Sequence, residues 1–276
     1  RARGTSSRGT EAPATRPGRR RAGGGGGGDG PSLRAEGPSS CCRDFLCSAT
    51  IANPRILAEG LVGLPVKVVE EDGSPFGGKE FLFWNPPLDD TKAARKSATS
   101  EGSLLFAGLL QEGVRTLAFV RTRRQVELMY ISVRNQLAAR APELVDRVRP
   151  YRGSYLPEDR REIERGLFSG ELLGVASTNA LEMGLDIGDL DATVLAGYPG
   201  SVSSTWQQAG RSGRRQDASL SILVARDNPL DQYLMRHPDF FFDRSHEHAL
   251  ISPENLYVLD GHLLCAAYEA PLTLQE

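Results

Sequence analysis

Apolar and polar residues alternate along the second half of the chain with two different periods. Short apolar runs predict buried strands, which we place at residues 116–120, 147–151, 172–176, 193–196 and 219–224. Between them the apolar residues recur with a helical period. Residues 123–139 show this most clearly, with one apolar face formed by Val126, Met129, Tyr130, Val133 and Leu137. Strands that alternate with helices predict an α/β fold, a parallel sheet with helices on both faces.

The first hundred residues have a less regular pattern. Asn53 and Pro54 are of the types expected at the N-cap and the first position of a helix, which we predict to end near Leu61. Apolar runs predict short strands at residues 45–47, 66–69 and 81–84. Residues 88–100 are polar and have the composition of a linker.

Residues 1–42 differ from the rest of the chain in composition. Over residues 1–40, eight arginines face three acidic residues, and residues 23–28 are all glycine. An Arg- and Ser-rich transit peptide is one interpretation. We favour the other, a disordered low-complexity tail. The remainder carries 25 basic and 32 acidic residues, so a nucleic-acid contact there requires a local patch or helix N-termini aimed at phosphate.

Composition narrows the class of protein further. Hydrophobic residues make up 39% of the chain and charged residues 25%, which is typical of a soluble folded core. Apolar runs long enough for a membrane span are absent from the sequence, so we expect no membrane partner. The four cysteines form no CxxC pair, which argues against a disulfide framework or a zinc ribbon and favours a reducing compartment. His246 and His248 have no evident third ligand, so we expect no metal site in this chain.

A stretch rich in glycine and arginine, QQAGRSGRR at residues 207–215, carries the clearest chemical signal. Arginine stabilises charge on a transferring phosphoryl group, because its planar fork donates bidentately to oxyanions. Gly210 and Gly213 let the backbone bend and approach another surface closely. A solvated basic loop is the simpler interpretation. The spacing Q-x-x-G-R-x-G-R, however, is more restrictive than a basic run.

This stretch resembles motif VI of the superfamily 2 helicases, and other stretches resemble further motifs of the same proteins. Residues 117–124 (LAFVRTRR) are similar to motif IV, residues 178–188 (TNALEMGLDIG) to motif V and residues 48–50 (SAT) to motif III. The phrases SATIANP and ARDNPLDQY resemble the YprA/MrfA-like group of DNA repair helicases. The resemblance implies the second RecA-like lobe of an ATP-dependent DNA helicase that translocates from 3′ to 5′.

The resemblance also implies roles for particular residues. Arg211 and Arg214 would be catalytic residues at the γ-phosphate, one of them as an arginine finger. Gln207, Gly184 and Asp186 would contact ATP. A local salt bridge is the simpler interpretation of Asp186.

Nucleic-acid contacts are implied at the start of the motif V stretch. Thr178 and Asn179 would hold single-stranded DNA, since a helix N-terminus and a hydroxyl suit a strand phosphate. An ordinary N-cap is the alternative for Thr178. Ser48 and Thr50 would supply motif III, and we interpret Trp206 as a core residue rather than a base-stacking one. We expect the loops after the third and fourth strands to lie at the carboxyl edge of the sheet, where ligands bind.

Two motifs of a complete helicase are missing from this sequence. It contains no G-x-x-x-x-G-K-[ST] and no acidic Mg²⁺-binding motif before Ser48. We therefore expect an excerpt of a two-lobe enzyme, inactive alone: a remnant of the first lobe with a linker at residues 43–100, the second lobe at 101–236 and the start of a C-terminal extension at 237–276.

In the intact enzyme the partners would be single-stranded DNA and the first RecA-like lobe, and the cofactors ATP and Mg²⁺. We expect a cytoplasmic location, associated with the bacterial nucleoid. The alternative is a non-catalytic nucleic-acid-binding or interaction module that has lost the first lobe.

Overall fold

A parallel sheet organises the chain, as the alternating pattern predicts. The structure is a computed structural model that describes residues 45–48, 50–71, 73, 77–89, 94–183, 190–213, 218–243 and 246–271. Apart from Phe45, these residues belong to one compact unit, Leu46–Glu276. The tail predicted at residues 1–42 lies outside the described residues.

The strands of the described residues follow one another in the order β1 (Lys79–Trp84), β2 (Leu88–Asp89), β3 (Ala94–Arg95), β4 (Thr116–Phe119), β5 (Val148–Tyr151), β6 (Gly174–Ser177), β7 (Ala192–Ala196) and β8 (Ser219–Val224). Six of them form one sheet in the order β1-β8-β7-β4-β6-β5, and every pairing in it is parallel. Strands β2 and β3 pair separately and antiparallel. The inner strands β4, β6 and β7 are buried along their whole length, which explains their apolar sequences.

The helices of the described residues are α1 (Pro54–Val62), α2 (Ala98–Gln111), α3 (Arg123–Arg140), α4 (Pro157–Ser169), α5 (Val202–Ala209), α6 (Pro229–Arg236), α7 (Asp239–Phe242) and α8 (Leu256–Glu269). The longest, α3, begins with a capping box in which Thr122 and Gln125 satisfy each other's backbone amides. Of its predicted apolar face, Val126, Met129 and Val133 are fully buried. Within the described residues, no helix is both long and apolar enough to cross a membrane.

Hydrophobic clusters lie on both faces of the sheet, so the predicted RecA-like α/β fold is confirmed. One cluster contains Phe106 and Leu110 of α2 together with the apolar face of α3. The other contains Leu167 of α4, Leu234 of α6 and Phe241 of α7. Trp206 packs in the second cluster, 5.7 Å from Phe81 between ring centroids, and therefore serves as a core residue.

The structure departs from the sequence-based expectations before residue 115. Residues 45–47 and 66–69 form no strand, and Phe45 and Val69 are 86% and 80% exposed. Helix α2 begins within the segment interpreted as a linker, because Ser97 accepts from the amide of Ser100 as its N-cap. Strand β1 pairs with β8, so the sheet extends N-terminally of residue 101.

Candidate functional site

The glycine- and arginine-rich stretch forms a turn directly after α5. We call residues 210–215 the arginine loop, of which residues 210–213 are described. Gly213 has φ 81° and donates its amide to the carbonyl of Leu190 at 3.0 Å. A Cβ on Gly213 would lie 2.2 Å from the Ser219 hydroxyl, so only glycine fits this backbone and this close approach.

The position of the arginine loop differs from our expectation. Because α5 returns along the sheet, the loop lies beside Leu190 and Ser219, at the amino ends of β7 and β8, and not at their carboxyl ends. The loop that begins at Thr178 does follow the carboxyl end of β6, as expected. The two groups of predicted site residues therefore lie toward opposite edges of the sheet.

Glu182 connects these two groups, and sequence reasoning missed it. Its carboxylate is nearly buried, and it accepts from the Ser204 hydroxyl at 2.7 Å and from the Gln208 amide at 2.8 Å. Its backbone carbonyl accepts from the guanidinium of Arg211. Glu182 thus joins the motif V stretch both to α5 and to the arginine loop. The only feature of the sequence that could have pointed to Glu182 is a charged residue between two apolar ones, Leu181 and Met183.

Thr178 and Asn179 are placed differently. Thr178 is the N-cap of a 3-10 helix over Asn179–Leu181, and its hydroxyl accepts from the amide of Ala180 at 3.4 Å. This is the N-cap role weighed from the sequence. The Asn179 side chain is exposed and lines a cavity at the carboxyl edge of the sheet.

That cavity has a volume of about 250 Å³, and two arginines and the carboxylate residue Glu182 are among its lining residues. Arg121, which follows β4, and Arg226, which follows β8, both line it. Arg226 donates to the carbonyl of Ala196 at 2.9 Å and lies so close to Gly197 that a Cβ there would be 2.2 Å from its Nε. Burial lowers the pKa of Arg226, the Asp231 carboxylate opposes that shift, and Arg121 reinforces it.

Sequence reasoning did not select Arg121 or Arg226 as site residues. Their position one or two residues beyond a predicted buried strand was a signal that could have found them. Asp231 fixes the rim of the cavity, because its carboxylate accepts from the amides of Tyr198 at 3.1 Å and Arg226 at 2.8 Å. The loops after β7 and β8 are therefore held together.

The motif III stretch contacts α5. Gln207 donates its side-chain amide to the Thr50 hydroxyl at 2.7 Å, and the Ser203 hydroxyl donates to the Thr50 carbonyl at 3.1 Å. Gln207 therefore meets Thr50, while Ser48 is exposed. The remaining predicted site residues, Gly184, Asp186 and Arg214, lie outside the described residues.

The first turn of α5 is also held by the C-terminal part of the chain. The carboxylate of Glu247 accepts from the amides of Val202 and Ser203 and from the Ser203 hydroxyl. Burial opposes ionisation of Glu247, but these hydrogen bonds outweigh it and lower its pKa to about 2. Asn53 does not cap α1 with its side chain. It instead pairs with the backbone of Ala249, at 3.0 and 2.8 Å.

The described residues contain no group of three or more His, Cys, Asp or Glu side chains placed to hold a metal ion. The arrangement consists instead of cationic and amide donors: an arginine loop at one edge of the sheet and an arginine-lined cavity at the other. Such donors suit phosphate oxygens.

Comparisons with known proteins match this arrangement. Residues 102–216 match the family model described as the helicase conserved C-terminal domain. The ATP-dependent helicase YprA of Bacillus subtilis strain 168 is 50% identical over 84% of this chain, which spans 31% of that protein. The ATP-dependent helicase HRQ1 of Saccharomyces cerevisiae is 40% identical over 83% of this chain, which spans 22% of that protein.

A solved structure gives the same result. The crystal structure of the DUF1998 helicase MrfA bound to DNA and AMPPNP is 51% identical with a TM-score of 0.76, over 83% of this chain and 32% of that one. The chain thus spans a third or less of each of these three proteins. The parallel sheet, the arginine loop on α5 and these likenesses lead to one assignment: the chain belongs to the superfamily 2 helicases and is their C-terminal RecA-like lobe.

Proposed function

We propose that this lobe acts within an ATP-dependent DNA helicase or translocase that works in DNA repair. Arg211 and Arg214 stabilise charge on the γ-phosphate of ATP held by a first RecA-like lobe, which also supplies the Mg²⁺ ligands. Gln207, Gly184 and Asp186 complete the nucleotide contacts. Support for ATP as the nucleotide comes from MrfA, whose structure carries AMPPNP.

Single-stranded DNA binds, in this proposal, at the carboxyl edge of the sheet. Thr178 and Asn179 contact its phosphates, and Arg121 and Arg226 add two cations around the adjoining cavity. The half-buried guanidinium of Arg226 is held by the Ala196 carbonyl, so it is oriented before any phosphate arrives. The DNA in the MrfA structure supports a nucleic-acid ligand of this kind.

The observation that carries the proposal is the link through Glu182. Its carbonyl receives Arg211, and its carboxylate receives Ser204 and Gln208. The stretch that begins at the proposed DNA contact is therefore bonded directly to the loop proposed to act on ATP. Closure of the two lobes on ATP would move both together, as coupling of hydrolysis to translocation requires.

Two substitutions in a two-lobe enzyme carrying this lobe test the proposal. Arg214→Ala should lower the rate of ATP hydrolysis about 10³-fold or more, the range for an arginine finger, while DNA affinity changes little. Thr178→Val should instead weaken binding of single-stranded DNA and leave DNA-independent hydrolysis nearly intact, because it removes a hydroxyl but keeps the branched shape.

Hydrolysis is followed by phosphate release, and binding by the fluorescence anisotropy of a labelled oligonucleotide. Arg140→Ala is the matched control, since Arg140 is an exposed arginine at the end of α3. Wild-type hydrolysis in Arg214→Ala would disprove the catalytic role of the arginine loop. Loss of DNA binding alone in both variants would make the loop a nucleic-acid contact.

A further inference from the structure

The side-chain amine of Lys79, the first residue of β1, reaches the arginine loop. It donates to the Ala209 carbonyl at 2.6 Å, to the Ser212 carbonyl at 2.8 Å and to the Ser212 hydroxyl at 3.0 Å. An ammonium group has three donors, so these contacts use all of them. Lys79 thus ties the last residue of α5 to the loop that follows it.

Within the described residues, the atoms that accept from this amine are two backbone carbonyls and a hydroxyl. The carbonyl of Ala209 ends α5, where the helix dipole favours a cation. Strand β8 contributes Ser219, which is paired with Lys79 in the sheet, and the arginine loop contributes Ser212. The guanidinium of Arg211 donates to the Glu182 carbonyl. Burial lowers the pKa of Lys79 to about 8.

A phosphate-binding role for Lys79 does not fit its position. Residues 73–79 have the spacing G-x-x-x-x-G-K, but Glu80 follows where a phosphate-binding loop requires Ser or Thr. Lys79 also opens a strand, whereas the lysine of such a loop opens a helix. Its amine already donates hydrogen bonds to Ala209, at the end of α5, and to Ser212 in the arginine loop.

We propose that Lys79 is a positioning residue that fixes residues 210–213 of the arginine loop against the end of α5, so that Arg211 is presented in one orientation. The role in hydrolysis rests on the function proposed above; the fixing of the loop does not. Two observations carry it: three hydrogen bonds from one half-buried amine, and a loop backbone whose turn at Gly213 leaves no space for a Cβ.

Hydrogen exchange of the whole chain tests the fixing of the loop. The reporters are the amides of Ser212, bonded to Ala209, and Gly213, bonded to Leu190. Lys79→Met keeps the length of the side chain and removes every donor, so exchange at both amides should accelerate about tenfold or more at neutral pH. Lys67→Met, at an exposed lysine, is the matched control and should match the wild type.

A pH profile tests whether the Lys79 amine is buried at the end of α5, as its three contacts require. The pKa of Lys79 is lowered from 10.5 to about 8, so the unfolded chain binds more protons between those values and stability rises with pH there. In urea unfolding, the ratio of the wild-type folding constant to that of Lys79→Met should rise about 40-fold from pH 8 to pH 10. A constant ratio, or unchanged exchange in Lys79→Met, would overturn the proposal.

If Lys79→Met does not fold, an NMR titration of the wild-type lysine side chains decides the question. A Lys79 signal that titrates near pH 8 supports the buried position of the amine, and one that titrates near the ordinary lysine value of 10.5 refutes it. In a two-lobe enzyme, Lys79→Met should lower kcat about 10- to 100-fold, as misplaced catalytic groups do, with little change in KM for ATP or in DNA affinity. Faster loop exchange with an unchanged kcat would refute the contribution of Lys79 to hydrolysis, whereas Arg214→Ala tests the catalytic role of the arginine loop separately.

Discussion

Replacing Glu182 by alanine should destabilise the lobe strongly, because that carboxylate is the acceptor for two inward-facing donors. Glu182 is 8% exposed and Gln208 is 5% exposed, and both line the cavity at the carboxyl edge, so only water that enters this cavity can replace the lost bonds. A hydrogen bond to a charged group contributes about 1.5–3 kcal/mol. The Ser204 hydroxyl can rotate toward another acceptor, whereas the Gln208 amide is left without Glu182. We therefore expect a loss of about 3 kcal/mol.

Urea unfolding followed by far-UV circular dichroism measures this loss directly. In thermal unfolding, a loss of 1 kcal/mol lowers the melting temperature of a domain of this size by roughly 2–4 °C, so the variant should melt roughly 6–12 °C below the wild type. Glu171→Ala, at an exposed glutamate, is the matched control and should change stability by less than about 0.5 kcal/mol.

A double-mutant cycle then tests whether the effect passes through Gln208. Glu182→Ala and Gln208→Ala should couple by about 1 kcal/mol or more, because each removes the same bond. If Glu182→Ala stays within about 0.5 kcal/mol of the wild type, or if the two changes are additive, the link through Glu182 is not what holds α5 to the motif V stretch.

Three further outcomes are expected. The isolated chain should hydrolyse ATP negligibly with or without single-stranded DNA, because the β/γ-phosphate and Mg²⁺ ligands are not in this sequence; steady phosphate release at a helicase rate would contradict this. The pKa of Glu247 is about 2 against the ordinary 4.5, so its carboxylate should stabilise the fold above about pH 4.5 and lose that effect as the pH falls toward 2. In urea unfolding, Glu247→Gln should therefore make the free energy of unfolding less dependent on pH in this range. Gly197→Ala should lower the melting temperature and weaken oligonucleotide binding in anisotropy, because its Cβ meets Arg226; Gly200→Ala, also at positive φ but with nothing within 4 Å, should not weaken binding.

The strands and long helices could be predicted from the sequence because local signals and tertiary packing agree there. The inner strands are buried on both faces and read as apolar runs, and α3 carries both a capping box and one apolar face. The strand predicted at residues 45–47 is not formed. An apolar run becomes a strand only if another strand lies beside it, and the sequence does not show which strands are neighbours. Helix α2 was missed because its glycines and serines resemble a linker.

The site residues also fall into two groups, those that a local sequence pattern marks and those that it does not. Arg211, Gln207, Thr178 and Asn179 belong to short patterns whose spacing is visible in one chain. Glu182, Arg226 and Lys79 act through partners 22 to 133 positions away along the sequence, and no local pattern marks such a pairing. The position of the arginine loop at the amino edge of the sheet was unexpected because the return path of α5 depends on the sheet order.

The attachment of α5 has a practical consequence for dividing this protein into pieces. Its first turn is held by Glu247 and its last residue by Lys79, and neither lies within residues 102–216, the span that matches the family model. A fragment cut at those family boundaries would also lack strands β1 and β8 and would expose one side of β7. Fragments meant for crystallisation or binding studies should therefore start before residue 77 and continue past residue 249.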